Sequence, residues 1–298
     1  MIVLGNDKFA EDVAKQMDAD FVKLETKKFR DGEYYLRIME PDKLNGKKVI
    51  FVSRGRTPGL SQDRLLTKSL LVLFRLSEVG AKKIGLFLPY MPYSRQDKEF
   101  LSGEVVSVKI FRKILEDKSD LIVSVTNHDK REEGWIDDKF YNIDGARAVI
   151  DFLKTKKFDS PVFAAPDMTS KDNVEKIANE IGGEVLALKK VRDHNTGEIN
   201  TTGEMPDLTG KELIIFDDIA SSGGTLMKAI QKGKEANAKK IICIVIHALS
   251  VQNEMAKMNS IDMIKEACDE YYSSDTIENP VEGFSIVPHV AKFFKENF

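Results

Sequence analysis

The sequence is nearly without cysteine: two in 298 residues, Cys243 and Cys268, with no CxxC pair and no histidine at metal-ligand spacing beside them. That argues against a disulfide framework or a structural zinc site and suits a reducing compartment. No apolar stretch approaches membrane-spanning length, and the start, MIVLGNDKFAEDVAKQM, has no basic segment ahead of an apolar one. The chain is read by default as a soluble, cytoplasmic protein. Charge of one sign is also lacking. Lys+Arg 45 against Asp+Glu 48 leaves no net field to draw the molecule to nucleic acid or to a membrane, so an anionic ligand has to be held locally. No Pro/Gly/Ser-rich linker or low-complexity stretch divides the chain.

What is present is alternation. Short runs rich in Val and Ile recur at 49–53 (VIFVS), 84–89 (IGLFLP), 121–125 (LIVSV), 161–166 (PVFAAP), 212–218 (ELIIFDD) and 241–247 (IICIVIH). Between them, 60–79 and 104–117 space their apolar residues three and four apart, as amphipathic helices do. The pattern predicts an α/β fold with mostly parallel sheets flanked by helices. Two such units are expected, 1–144 and 145–298, with the break at the polar turn Asn142–Gly145 ahead of the helix-like GARAVIDFLK. GAKKIGLFLPY at 80–90 and NAKKIICIVIH at 237–247 both set a basic pair before a buried strand, a hint of internal duplication.

The strongest local signal is LIIFDDIASSGGTLMKAI, 213–230. An apolar strand leads to Asp217 and Asp218, then Ser221, Ser222, Gly223, Gly224 and Thr225 open a helix. Glycines admit a phosphate close to the backbone, the helix start offers unpaired N–H groups, and the hydroxyls add donors. Carboxylates repel a phosphate unless they serve hydroxyls or a cation, so Asp217 and Asp218 point to a ribose diol or Mg²⁺. An ordinary strand-to-helix turn capped by Asp and Ser is the plainer alternative. The whole ordered string resembles the phosphoribosyl pyrophosphate motif shared by phosphoribosyltransferases and ribose-phosphate pyrophosphokinases, which implies binding of ribose 5-phosphate and leaves the reaction open.

Two further segments resemble the signatures of ribose-phosphate pyrophosphokinases, and the compact FLSGE wording is similar to the archaeal type. They are FRDGE at 29–33, a turn before the strand-like YYLRI, and PYMPYSRQDKEFLSGE at 89–104. The resemblance implies two phosphoribosyltransferase-like domains related by duplication, with ATP bound mainly by the first, ribose 5-phosphate by the second, and the site at their interface. Arg95, Gln96, Asp97 and Lys98 form a dense group able to pair with a triphosphate and to hydrogen-bond a base or ribose; alone they read equally as a solvated loop. Phe29 offers a flat face to adenine, with Asp31 and Glu33 for its amino group or as bridges to a neighbouring subunit. A homodimer is then the smallest assembly.

The stretch LALKKVRDHNTGEI at 186–199 occupies, in the resemblance, the catalytic loop in which a Lys-x-Arg pair stabilises charge on the phosphates. Lys190 and Arg192 take those positions, with Lys189 as a competing alignment and a plain surface lysine as the bland one. His128 matches a histidine that contacts Mg-ATP, and Asp167 a second Mg²⁺-linked carboxylate; Asp129 is an oxygen-bearing rival to His128. The implied reaction passes the β,γ-diphosphoryl group of Mg-ATP to C1 of ribose 5-phosphate for nucleotide biosynthesis, giving AMP and phosphoribosyl pyrophosphate by positioning and cationic stabilisation. SSDTIENP at 273–280 and the helix-like VPHVAKFFKEN extend the likeness to the whole chain.

Departures stand at PDMTSKDN, where Met168 and Thr169 replace small residues, at Val191 within the basic run, and at Asn127 before His128. They leave open a non-catalytic regulatory member of the same family, against which the intact DDIASSGGT, RQDK, Lys190 and Arg192 count. A phosphoribosyltransferase with an added domain is the other alternative, against which FRDGE and RQDK count.

Overall fold

The computed structural model describes every residue except 58, 60, 100, 128–132, 168–169, 188–189, 193–198, 202–204 and 254–257; at 187, 190–192, 199–201 and 253 it describes the backbone alone. The chain forms two compact units. One comprises Met1–Arg56, Leu60–Asp144 and Ser285–Phe298, the other Thr57–Gly59 and Gly145–Phe284.

The first unit runs β1 (Ile2–Gly5), α1 (Lys8–Gln16), β2 (Asp20–Lys28), β3 (Tyr34–Ile38), a short 3-10 turn (Pro41–Leu44), β4 (Lys48–Val52), β5 (Gly55–Arg56), α2 (Gln62–Glu78), β6 (Lys83–Phe87), α3 (Ser107–Glu116), β7 (Leu121–Val125), β8 (Gly134–Trp135) and β9 (Phe140–Ile143). The second continues with α4 (Ala146–Leu153), β10 (Pro161–Ala165), α5 (Lys171–Ile181), β11 (Glu184–Ala187), β12 (Lys190–Arg192), β13 (Ile199–Thr201), β14 (Glu212–Ala220), α6 (Gly224–Glu235), β15 (Lys240–Ala248), β16 (Gln252–Asn253), β17 (Met258–Asn259), α7 (Ser260–Ala267), β18 (Glu270–Ser274), β19 (Ile277–Glu278) and β20 (Glu282–Phe284). The last helix, α8 (Val287–Asn297), returns to the first unit.

The Val/Ile runs become strands because each is buried on both faces, as helix-covered parallel strands must be. Six strands in each unit, these runs among them, lie parallel in the same order. In the first the sheet reads β2-β1-β4-β6-β7-β9, with β3 and β8 added antiparallel at the edges; in the second it reads β11-β10-β14-β15-β18-β20. Counted within each unit, both are 2-1-3-4-5-6. The repeated phrases GAKKIGLFLPY and NAKKIICIVIH carry β6 and β15, the fourth strand of each sheet, so the sequence repeat falls on equivalent strands. This is the arrangement a duplication leaves.

Helix starts follow local chemistry. Asp7 accepts the Ala10 amide at 3.0 Å to open α1, and Asn259 accepts the Asp262 amide at 3.0 Å to open α7. In the first unit α2 and α3 bury Leu65, Leu66, Val72, Leu73, Leu76, Val108 and Leu115 against one sheet face. In the second, α6 and α7 bury Leu226, Ala229, Ile230, Ile261 and Ile264 against Leu213, Ile215, Ile241, Cys243 and Val245.

The C-terminal segment departs from the sequence reading, which carries the second domain to residue 298. Phe294 is fully buried and meets Phe87 edge-on at 6.0 Å, Phe293 stacks on Tyr141 at 4.1 Å, and the Phe298 ring fills the space above Gly85, 3.2 Å from where a Cβ would stand. Aromatic burial against the first sheet outweighs proximity in sequence.

Candidate functional site

The site of the second unit is built on unequal strand lengths. β14 pairs with β10 only as far as Ile215, because β10 ends at Ala165, but it stays paired with β15 through Ala220. Asp217 and Asp218 therefore stand within a strand that continues to Ala220, past the end they were expected to mark, and one edge of that strand is released from pairing at their level. Pro166, Asp167 and Ser170 follow β10 there. The Ser170 hydroxyl donates to Asp217 Oδ1 at 2.6 Å, which also accepts the Asp218 amide at 3.0 Å.

Both carboxylates are buried, Asp217 at 6% and Asp218 at 4% exposure. Burial pushes the Asp217 carboxyl well above the usual carboxylate range, the Asp218 charge adds to this, the Ser170 bond opposes it, and Asp167 raises it again. Three carboxylates thus act on one point.

The turn that follows is suited to an anion. Gly223 takes φ 79° and ψ −6°, the left-handed region, and serves as N-cap of α6 without a side-chain bond to the helix's first amides. No acidic residue occupies the first turn. Those amides lie at the positive end of the helix dipole, with Ser221, Ser222 and Thr225 beside them in sequence. Gly224 is open: nothing lies within 4 Å of a Cβ built there.

In the first unit, FRDGE closes the β2–β3 hairpin. Lys28 pairs with Tyr34, the Phe29 amide donates to the Glu33 carbonyl at 2.9 Å, and Gly32 bends the chain at φ 96°. The Asp31 carboxylate accepts the Glu33 amide at 3.0 Å, so one of its oxygens shapes the turn. Phe29 is 53% exposed and meets Tyr35 edge-on at 6.2 Å. The Phe29 ring therefore stands in water on a turn held by three hydrogen bonds.

Arg95, Gln96, Asp97 and Lys98 follow the C-terminal end of β6, past the buried run Leu88–Met91. Tyr93, at φ 59°, lies with its ring tilted against Phe111 at 4.7 Å, and its hydroxyl bonds to Asp63, anchoring the segment just ahead of them. Asn127 lies at the end of β7, its amide held by Asn142 Oδ1 at 2.8 Å. His128, Asp129, Met168, Thr169 and Lys189 lie outside the described residues. Lys190 and Arg192 lie on β12, paired antiparallel with β13 at Lys190↔Thr201 and Arg192↔Ile199, where the sequence reads as a polar turn. The second unit thus brings together Asp167, Asp217, Asp218 and the 221–225 turn; the first brings Phe29, Asp31 and Glu33 into one turn, with Arg95–Lys98 on another.

A family model described as the N-terminal domain of ribose phosphate pyrophosphokinase matches residues 2–118, and a phosphoribosyl transferase domain model matches 138–285. The ribose-phosphate pyrophosphokinase of Sulfolobus acidocaldarius is 32% identical over 293 residues, covering 96% of this chain and 97% of its own. That of Pyrococcus furiosus is 31% identical over 291 residues, covering 97% and 99%. The chain belongs to the ribose-phosphate pyrophosphokinase family. The crystal structure of phosphoribosylpyrophosphate synthetase from Mycobacterium smegmatis superposes with a TM-score of 0.80, covering 99% of this chain and 97% of that one at 24% identity, which shows the shared fold.

Family membership sharpens what the residues can hold. Among the described residues no group of three or more His, Cys, Asp or Glu side chains is arranged to hold a metal ion. The donor chemistry of Asp167 nonetheless suits Mg²⁺, which takes oxygen ligands; behind burial and the Asp218 charge, Asp167 also raises the Asp217 carboxyl, so negative charge accumulates here that a divalent cation would relieve. Ser170 is the residue the sequence reading missed. Its signal was present, a serine in the turn after β10 ahead of a helix, but its partner lies 47 positions away. No helix is long and apolar enough to cross a membrane among the described residues.

Proposed function

We propose that the protein is a ribose-phosphate diphosphokinase, moving the β,γ-diphosphoryl group of ATP onto the C1 hydroxyl of ribose 5-phosphate and releasing AMP and phosphoribosyl pyrophosphate. The observation that carries this reading is the 217–225 turn: paired carboxylates for a diol, then an uncapped helix start for a phosphomonoester. Whole-chain similarity to named pyrophosphokinases supports the donor half of the reaction.

In this reading the α6 amides and the Ser221, Ser222 and Thr225 hydroxyls hold the 5-phosphate, and Asp217 and Asp218 accept from the ribose hydroxyls. Phe29 lies against adenine, with Asp31 and Glu33 at its edge. Arg95, Gln96, Asp97 and Lys98 bind the triphosphate and ribose of ATP. Lys190 and Arg192 stabilise charge spread over the phosphoryl oxygens in flight, so the chain needs no nucleophile of its own: the sugar's anomeric oxygen attacks in line. Asp167 and His128 would hold Mg²⁺, which would supply neutralisation of the phosphate charge. Residues 1–144, closed by the C-terminal segment 285–298, for ATP and 145–284 for the sugar, a homodimer and a cytoplasmic site of action complete the proposal.

The test is AMP formation from purified protein, ATP, Mg²⁺ and ribose 5-phosphate, beside a control without the sugar and the variants Lys190→Ala and Lys189→Ala. Sugar-dependent AMP that falls by about a thousandfold or more in Lys190→Ala supports the reading. No AMP from a wild type that still binds ribose 5-phosphate replaces it with a regulatory member of the family. Release of pyrophosphate from phosphoribosyl pyrophosphate upon adding a nucleobase makes it a transferase.

A further inference from the structure

The homodimer proposed above has no surface assigned to it. In the first unit α2 and α3 lie side by side and run the same way. The Tyr93 ring rests against Phe111 of α3 while its hydroxyl bonds to Asp63 in the first turn of α2, and at the other end the Lys118 amine, just past α3, stands 5.0 Å over the Phe74 ring. The inward faces of both helices belong to the core, through Leu65, Val72, Leu73, Val108 and Leu115. The outward faces are not polar, as the solvent side of a helix ordinarily is. Leu71 and Phe74 on α2 are 50% and 49% exposed, and Ile110 and Ile114 on α3 are 50% and 41% exposed.

Four apolar side chains showing roughly 100 Å² apiece make a strip of about 400 Å², a size at which surface patches are often functional. It is also about half of the ~800 Å² that each partner gives to a standard interface, close to the apolar share of such interfaces. Toward β3 the strip runs into a groove of about 500 Å³ lined by Leu24, Leu36, Ile38 and Val72 together with Leu71 and Phe74. The flanking charges select how a second copy lies on it. Beside Ile110 and Ile114 stand Lys109, Lys113 and Lys118 against one acid, Asp117; beside Leu71 and Phe74 stand Asp63 and Glu78 against Arg64 and Arg75, with Arg75 bonded to Glu78 at 3.0 Å. One α3 laid on another sets basic rim against basic rim, whereas α3 laid on α2 does not.

We propose that this strip is a two-fold contact between copies of the chain, laying Ile110 and Ile114 of one copy on Leu71 and Phe74 of the other. A two-fold axis in the plane of contact, running along the helices and between them, exchanges α2 with α3, so the same pairing forms twice and the contact closes on itself. Apolar side chains meet at its centre, and the basic rim of α3 meets the rim that carries Asp63 and Glu78. The inference takes the homodimer from the reading above and does not depend on the reaction the protein performs.

The experiment measures the mass of the full-length protein in solution by sedimentation equilibrium, with circular dichroism as the check on folding. Wild type is expected to be a dimer or a larger even assembly. Phe74→Glu and Ile114→Glu change exposed positions, so each is expected to keep its circular dichroism and to raise the dissociation constant of this contact about thirtyfold or more. A chain carrying both Leu71→Cys and Ile110→Cys is expected, on oxidation, to link position 71 of one copy to position 110 of the other, read by peptide mass spectrometry; Ile110→Cys alone is expected to give no link. A wild type that stays monomeric overturns the surface and the homodimer together. An assembly unchanged in both glutamate variants overturns the surface and leaves the homodimer to another face, and a 110-to-110 link overturns the pairing of α2 with α3. Either glutamate variant decides alone if the other does not fold.

Discussion

The Ser170 hydroxyl donates to the Asp217 carboxylate at 2.6 Å, across the space left where β10 stops and β14 runs on. It opposes the burial and like charges that raise the Asp217 carboxyl. Ser170→Ala removes this donor from a buried acceptor, a loss on the order of 1–3 kcal/mol. Ribose 5-phosphate affinity is expected to fall about tenfold, more at acid pH as Asp217 takes up its proton more readily. Titration calorimetry across pH checks it; unchanged affinity would remove Asp217 from the sugar site.

Asp217 also carries a stability signature. Because its carboxyl is raised in the folded chain, its contribution is fully present below the unfolded carboxylate value near 4 and is lost as pH climbs through the folded one. Asp217→Asn is therefore expected to melt ~2 °C or more above wild type at pH 7, with the difference shrinking toward pH 4. The same variant is expected to lose ribose 5-phosphate. A lower melting temperature at pH 7 would count against the raised carboxyl.

Adjacent glycines in the turn divide conformation from space. At Gly223 a Cβ would stand 2.9 Å from Met263 Cε and 3.2 Å from Ile264 Cδ1, on a backbone at φ 79°. Gly223→Ala is expected to cost about 1–2 kcal/mol in backbone strain, with the flexible tips of Met263 and Ile264 shifting to admit the methyl. Gly224→Ala meets nothing within 4 Å, so its global stability should hold. Urea unfolding of the pair separates them, and equal losses would refute the assignment of strain to Gly223.

Lys68 is a buried cation on the inward face of α2. Its amine donates to the Arg54 carbonyl at 3.3 Å and feels the Asp7 carboxylate, yet burial lowers it to about 8. The folded state is penalised in full below pH 8, by roughly 3 kcal/mol, and the penalty fades as pH rises toward the unfolded lysine value of 10.5. Wild-type stability should gain from this group between those limits, and Lys68→Met should flatten the gain. Urea midpoints at pH 7, 9 and 10 test it; parallel slopes for both proteins would rule it out.

The sheets were legible because a strand covered by helices on both faces needs an unbroken apolar run, and 121–125 or 241–247 can be little else. Apolar spacing placed α2 and α3 within three residues of their ends, and the helix-like VPHVAKFFKEN is α8. What stayed hidden depends on distant partners. The extension of β14 past Asp218 is set by β15, the bond from Ser170 by strand lengths, and the β12–β13 pairing by a register that a polar segment does not announce. The 217–225 turn was readable since its residues are contiguous; the carboxylate environment around it was not.

Chain order gives α8 a role in biogenesis. The first unit is left short of Phe293, Phe294 and Phe298 until the whole second unit has been synthesised, so Phe87 and Gly85 lack their cover throughout that interval. During translation the apolar surface meant for α8 is open to chaperones, and the two units mature together even though each has its own sheet.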